Sequence, residues 1–440
     1  MNAYLLLILK ETKDIFHTKS GIVFLILSSV IIGNSFFTAV DLYSKASIAA
    51  INNPLYATGF EPVPGVFRPT YGAIFILFSI LLPFVIIPVI SNEKKYNTIT
   101  LLLQFPFSFS EVLSAKIIAS IVFVISTLIL TVPALILWEI YGGHLPIAEI
   151  CTLTLGYLLY GLTIISISLC YSSLFENTST AAILSIATIL TSWIIDFTKD
   201  TNASKVILLF SKYTMTKMLK LFEDGILSLG AILYFIIVSI FFCALCYVTF
   251  RFDIKNKWKY ILSITLIFLF AIILNKKNYI NWDITESHKN SFPPKITEAL
   301  KKAPPIGIEV YLRKTDSRYK DFENDFLKKL TLIRPDTQIH YIDNDKELDK
   351  NYGLFIYNIN GKTDKTYSNS EEEIIPIILG LSGINIPKED RKNFKGYPLS
   401  VNKKRLSIIK YIYYFIIPII ILLCNLLTPL KNLILKRRMG

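Results

Sequence analysis

Residues 71–138 read YGAIFILFSILLPFVIIPVISNEKKYNTITLLLQFPFSFSEVLSAKIIASIVFVISTLILTVPALILW. Two apolar runs, 71–91 and 115–138, flank a link that opens with Glu93, Lys94 and Lys95, turns apolar, meets Pro106 and restarts at Ser108 and Glu111. Runs of about 17–25 apolar residues are what a helix needs to cross the hydrocarbon core of a bilayer. The two runs therefore read as consecutive membrane spans, and the link is too long and too ordered in composition to be a simple turn. Residues 97–104, NTITLLLQ, are expected to form a short amphipathic helix lying on the membrane surface, broken by Pro106. Ser108 and Glu111 have the S-x-x-E spacing of a capping box that starts the next span. Lys116 is expected at the interface of that span.

Outward from this pair, further runs lie near 21–40, 150–171, 180–196, 229–250, 258–274 and 408–428. Residues 2–16 combine apolar positions with Lys10, Glu11, Lys13 and Asp14, the pattern of a helix lying in the interface. The run that follows resembles a signal peptide in position, but seven more spans come after it and no small-residue cleavage pattern ends it, so it is expected to be retained. The predicted fold is an α-helical polytopic membrane protein of about eight transmembrane helices, with a polar insert between the last two. Composition agrees: 52% of residues are hydrophobic and 18% charged, against about 25% charged in soluble domains.

The formal net charge of +13 does not point to nucleic acid. Lys and Arg gather beside the ends of apolar runs, as the positive-inside rule expects, and no long basic stripe interleaved with aromatics is present. Lys10, Lys13 and Lys19 precede the first span, and Lys94, Lys95 and Lys116 lie around the second and third. Arg251, Lys255, Lys257 and Lys259 separate the sixth and seventh, and Lys436, Arg437 and Arg438 end the chain. An even number of spans puts all four groups, and both termini, on the cytoplasmic side, and makes 41–70 and 275–406 external. The loop 197–228 departs from the rule, carrying several lysines on the outer side together with Glu223 and Asp224. Trp138, Trp193 and Trp258 lie near span ends and read as interfacial anchors.

In the external insert, IGIEVYL (306–312) and TQIHYID (337–343) read as strands around a helical stretch at 318–332. YGLFIYN (352–358) and KTDKTYS (362–368) form a hairpin around Asn360-Gly361, the dipeptide favoured in a type I′ turn. A helix follows at 370–382, with Ser370 as its cap and Glu371–Glu373 at its positive end. The order β-α-β, β-β-α suits a small α/β sandwich, and a thioredoxin-like layout is the first expectation. No CxxC accompanies it.

Motifs for chemistry are missing. GKT at 361–363 fails as a phosphate-binding loop because its first glycine would fall at Ile356. His288 and His340 are far apart in sequence and lack Cys or carboxylate neighbours at ligand spacing, and His17 and His144 fall in different expected compartments. The cysteines Cys151, Cys170, Cys243, Cys246 and Cys424 all lie in apolar runs. The CALC at 243–246 has no nearby cation to activate a thiol, so these are read as packing residues. No catalytic residue, cofactor or metal site is expected. The span centres carry no Asp, Glu, Lys or Arg, which argues against a proton relay or ion-coupled transport. Pro83, Pro88 and Pro133 inside spans are read as static bends.

The link itself resembles the coupling element of the ABC-2 type transporter permeases. That element has an acidic-basic pair, Gly-Thr, leucines, Pro with a small polar residue, Glu, and Gly-Lys. Here the positions are Glu93 and Lys94, Asn97 and Thr98, Leu101 and Leu103, Pro106 and Ser108, Glu111, and Ala115 with Lys116. Asn97 replaces the usual glycine, but Asn also accepts left-handed backbone angles. Residues 157–182 resemble the family's fourth and fifth spans, with Ser172 or Ser173, Asn177 and Ala181 or Ala182 where small and polar residues occur, and KETKDIF near residue 10 resembles its N-terminal helix. The gliding-motility-associated permeases are the nearest subgroup. Their partner membrane proteins begin an external part with Asp-Leu-Thr, which Asp283-Ile284-Thr285 resembles.

The resemblance implies a permease domain at 1–252, a seventh span and linker at 253–282, an external domain at 283–406 like that of the partner protein, and a last span with a basic tail at 407–440. It implies a subunit of the bacterial cytoplasmic membrane that couples ATP hydrolysis on a separate cytoplasmic ABC ATPase to export or mechanical work. It further implies pairing with a second permease half, and an envelope or periplasmic partner for 283–406. The alternative from a different class is an ATP-independent membrane scaffold that displays its external domain. A membrane-anchored enzyme is a third, which no residue constellation favours.

Overall fold

The computed structural model describes residues 3–53, 57, 59–98, 104, 107–197, 211, 213–251, 255–275, 280–313, 316–342, 348, 351–385 and 395–426 of the chain. Eight helices are long and apolar enough to cross a membrane: Lys19–Asn52, Val63–Lys95, Phe109–Ile140, Ile147–Leu174, Thr178–Asp196, Leu229–Phe250, Lys257–Asn275 and Lys403–Leu426, hereafter spans 1 to 8. The chain is a mostly helical, multi-pass membrane protein. It divides into two compact units, one holding residues up to Glu223, Ser228–Ile280 and Lys395 onward, the other Asp224–Leu227 and Asn281–Phe394.

Several helices outrun their apolar stretches. Span 1 continues beyond residue 40 because Asp41 and Lys45 pair one turn apart at 2.5 Å, and because Ser44 and Ser47 are buried rather than solvated. Span 2 begins at Val63 and includes π-helical turns at Val63–Phe67 and Leu77–Leu81. These turns end just before Pro69 and Pro83, where the widened register accommodates a residue without an N–H.

Span 4 is the hub, with 72% of its apolar window buried, whereas span 7 has none buried. Small residues let its neighbours approach. Gly156 faces Phe222 and Gly161 faces Val124 and Phe78, each too closely for a Cβ. The Thr163 and Ser239 hydroxyls bond at 3.1 Å. Trp138, expected as an interfacial anchor, is instead fully buried. Its Nε1 donates to the His144 carbonyl at 2.8 Å and its ring meets Tyr43 and Phe67 edge-on, so its polar atom is satisfied by the chain. Trp258 is exposed, 62% of it.

Residues 395–413 are stitched to spans 1 and 3. The Tyr43 hydroxyl donates to the Tyr397 carbonyl at 2.7 Å, and Val401 N donates to Ser44 Oγ at 2.7 Å. The Ser29 hydroxyl donates to the Tyr413 carbonyl at 2.6 Å, and the Tyr413 hydroxyl to the Leu130 carbonyl at 2.9 Å. Span 8 approaches span 1 so closely that a Cβ at Gly33 would lie 2.2 Å from Tyr413 Cβ.

Two short strands, β1 (Ile226–Ser228) and β2 (Asn281–Asp283), pair with each other. The second unit also has a four-stranded sheet of β3 (Ile306–Val310), β4 (Gln338–Tyr341), β5 (Phe355–Ile359) and β6 (Lys362–Thr366), in the order β4-β3-β5-β6. β3 runs parallel to β4 and antiparallel to β5, with Ile308 opposite both Ile339 and Tyr357. The alternation in β3 and β5 buries Ile306, Ile308, Val310, Phe355, Tyr357 and Ile359 against Phe322, Phe326, Leu330 and Ile378 from the helical stretches 317–333 and 371–381. β6 is an exposed edge of Lys, Thr and Asp residues, a composition that discourages pairing with other chains. Asn360 and Gly361 take φ of 52° and 76°, as a type I′ turn requires.

Ser370 begins its helix, but its side chain makes no capping bond. Its hydroxyl pairs with Ser368 Oγ at 3.2 Å instead. Asp283 is a loop staple: Oδ1 accepts from Thr285 N and Oγ1 at 3.0 and 2.6 Å, and Oδ2 from Asn290 N and Ser291 Oγ at 3.0 and 2.8 Å. The Asp-x-Thr pattern thus has a structural reason in this chain.

Replacing Gly33 with Ala forces overpacking against Tyr413. We expect a loss of about 1–3 kcal/mol, read as a lowered melting temperature of the detergent-purified protein, with Tyr413→Gly added to Gly33→Ala relieving the steric part.

Candidate functional site

The N-terminal helix Ala3–His17 buries one stripe, Leu7, Glu11 and Ile15. These positions are four apart and lie on one face, so a carboxylate shares the stripe with two apolar residues. The first part of span 3 buries Val112, Ala115, Lys116 and Ala119, placing an ammonium in the facing stripe. Span 2 ends by burying Ile90 and Ser91 and turning Glu93 inward, with 15% of its side chain exposed.

The three charges meet. Lys116, whose side chain is fully buried, pairs with Glu11 Oε2 and Glu93 Oε1, both at 2.8 Å, and donates to the Val89 carbonyl at 3.1 Å. Lys10 closes the cluster from the half-exposed side, 2.8 Å from Glu11, 3.3 Å from Asp14 and 3.9 Å from Glu93. Glu93 Oε2 is buried without a hydrogen-bond partner. One ammonium therefore joins the N-terminal helix, span 2 and span 3. Lys116 is not the interfacial charge its position suggested, because two carboxylates and a carbonyl let it stay inside.

Burial alone would raise the Glu11 pKa, but Lys116 and Lys10 together outweigh it and hold the carboxyl below its ordinary value of 4.5. Burial likewise works against the Lys10 ammonium, and Glu11, Glu93 and Asp14 overcome it, so its pKa is raised. By linkage, the Glu11 contribution is complete above pH 4.5 and is lost as pH falls through its lowered pKa; that of Lys10 is complete below 10.5 and is lost only above it. Glu11 and Lys10 thus both stay charged at neutral pH.

Neighbouring residues tie the same end of span 2 to spans 4 and 5, and span 4 to span 6. The Lys94 ammonium donates to the Ser173 carbonyl, Ser172 Oγ donates to the Ile87 carbonyl at 2.5 Å, and the Ser173 and Thr249 hydroxyls bond. Ile87 packs on Ala181 and Ala182, and Asn177 Oδ1 accepts from Ser179 N at 3.0 Å at the start of span 5. Span 2 stops at Asn97, whose φ of 55° is left-handed and whose N–H caps the Lys94 carbonyl at 3.1 Å, so asparagine fills the C-terminal role usual for glycine. Thr98 Oγ1 lies 3.4 Å from the Glu93 carbonyl it donates to.

At the start of span 3 the capping box is formed, Ser108 Oγ taking Glu111 N at 3.3 Å and Glu111 Oε2 taking Ser108 N at 2.8 Å. Leu101, Leu103 and Pro106 lie outside the described residues. Lys95, Tyr96 and Asn97 are exposed, Tyr96 by 68%.

Sequence reasoning missed Glu11 as a partner of Lys116, and Lys10 as the second cation beside the two carboxylates. The signal was available: a charge that falls in phase with buried apolar positions on a helix must find an opposite charge. The arrangement offers no nucleophile–base pair and, among the described residues, no group of three His, Cys, Asp or Glu able to hold a metal. What it can do is mechanical, holding several helix ends as one body beside an exposed chain end. Compared with protein-family models, curated proteins and solved structures, the chain matches none.

Lys116→Met leaves two carboxylates facing each other without their cation. We expect it to destabilise the purified protein by about 3 kcal/mol or more, measured by thermal unfolding in detergent. Glu93→Gln keeps an oxygen for Lys116 and is expected to cost much less.

Proposed function

We propose that the chain is the membrane-spanning subunit of an ABC-2 type permease complex of the bacterial cytoplasmic membrane, driven by ATP hydrolysis on a separate cytoplasmic ATPase. The supporting observation is the contrast at the end of span 2. Glu93 and Lys94 are anchored to the N-terminal helix and spans 3 and 4, while Lys95, Tyr96 and Asn97 immediately beyond are exposed. A partner pressing on the segment that starts there moves a set of helix ends together, because packed elements shift as rigid bodies.

In this reading both termini are cytoplasmic, residues 275–406 face outward, a second permease half pairs with this one, and the work done is export or movement of an envelope partner, as in the gliding-motility-associated permeases. The external unit is a thioredoxin-like sandwich. Its strand order β4-β3-β5-β6, a parallel pair followed by an antiparallel hairpin, supports that layout, and without a CxxC it serves as a binding module. The second reading is an ATP-independent scaffold for that unit, favoured by its possession of its own hydrophobic core.

A photo-crosslinking residue at Thr98 or Gln104 is expected to capture a nucleotide-hydrolysing protein in the producing cell. Tyr96→Ala with Lys95→Glu is expected to reduce capture at least tenfold without changing the melting temperature. Exhaustive capture without any ATPase, with function lost only on deletion of 283–394, favours the scaffold.

A further inference from the structure

Span 8 begins with a run of cations. Lys403, Lys404 and Arg405 form the first turn of its helix, Lys410 lies two turns on, and all four are exposed. Cations at a helix N-terminus face the positive end of the dipole, so the helix itself gives them no reason to gather there. Among the described residues none of the four has an ion-pair partner. No Asp or Glu occurs in the chain after Asp390, and Asp41, the one carboxylate of the neighbouring span 1, is engaged by Lys45. In the topology proposed above this end of span 8 faces outward, where the positive-inside rule does not ask for Lys and Arg.

The surroundings of Lys410 say what these charges meet. Its ammonium lies over the Phe37 ring of span 1, 4.1 Å from the centroid. One turn deeper, the Tyr414 hydroxyl donates to Asn34 Oδ1 at 3.0 Å. Lys403 shares the face of Lys410 seven residues back, about 10 Å along the axis, so two flexible stems can converge on one anion. Beyond Asn34 the same stripe of span 1 continues as Leu27 and Val23, both exposed, and span 8 exposes Phe415 and Ile419. The seam thus runs from two cations, through a hydroxyl–amide bond, to bare apolar surface. That is the order of phosphate, glycerol and acyl chain in a phospholipid. Ile408 and Tyr411, exposed beside Lys410, put its ammonium at the hydrocarbon boundary, a depth that a lipid phosphate reaches and a water-soluble acidic protein does not.

We propose that the seam between spans 1 and 8 binds one anionic phospholipid, its phosphate held by Lys403 and Lys410 and its acyl chain lying along Leu27 and Val23. Lys404 and Arg405 add attraction for the same headgroup. The site stands apart from the segment that follows span 2, so its failure leaves the permease reading untouched.

The test uses the full chain reconstituted in dioleoyl phosphatidylcholine vesicles with a trace of phosphatidylglycerol or phosphatidylcholine carrying a photoactivatable acyl chain. Labelled peptides are mapped by mass spectrometry. In the wild type, labelling within 19–34 and 411–423 is expected to favour phosphatidylglycerol by roughly fivefold, the contribution of one juxtamembrane cation. Lys403→Gln with Lys410→Gln is expected to bring the two lipids to equal labelling. Should that variant not fold, Lys403→Gln with Lys404→Gln leaves the Lys410–Phe37 contact in place and is expected to lose roughly half of the preference. Lys301→Gln with Lys302→Gln removes the same charge from the polar unit and is expected to leave the preference unchanged. No preference in the wild type, a preference undiminished in the folded seam variants, or one lost equally with Lys301 and Lys302, overturns the proposal. Inorganic phosphate competing as well as unlabelled phosphatidylglycerol shows a bare anion site and overturns it too.

Discussion

An ammonium inside a protein that sits in a bilayer has to be neutralised where it stands, because the surroundings supply neither water nor counterions. Lys116 sets this constraint. Its two carboxylates come from helices far apart in sequence, Glu11 before the first span and Glu93 at the end of the second. Satisfying it fixes the N-terminal helix against span 3 and fixes the register at which span 2 ends. The left-handed turn at Asn97 and the capping box at Ser108 then define where the chain leaves the bundle and where it returns.

The remainder of the membrane unit is held by shape more than by charge. Span 4 takes the centre by presenting glycines and hydroxyls to its neighbours. The chain segment leading into span 8 is bonded through Tyr43, Ser44 and Tyr397 to the C-terminal part of span 1. Tyr413 sits over Gly33, so the last span packs with the first although more than 350 residues separate them. The polar unit between spans 7 and 8 keeps its own core around a four-stranded sheet.

Much of this was legible in the sequence. Hydropathy located all eight helices, since span length is dictated by bilayer thickness. The insert's strands followed from alternation, and its hairpin from Asn360-Gly361. The capping box and the tolerance of Asn97 for positive φ were readable because both are local rules. What escaped was non-local. Nothing near Trp138 says that His144 will accept its N–H, and nothing near Lys116 names Glu11, since partner choice depends on how helices pack. Span 1 outran its apolar run because Asp41 and Lys45 satisfy each other along the helix, a pairing that hydropathy counts as two interruptions. The resemblance of the link to a coupling element stands on sequence pattern, with Leu101, Leu103 and Pro106 outside the described residues.

The central claim is that the N-terminal helix and spans 2 and 3 are held as one body by the buried charges. A charge exchange tests it most directly: Glu11→Lys, Lys116→Glu and the double substitution, compared by thermal unfolding of the purified protein at pH 7. The double variant keeps the cluster's total charge, so each single change should destabilise strongly and the pair should recover at least about 1 kcal/mol relative to their sum. Strictly additive losses, or single changes without effect, would contradict the account.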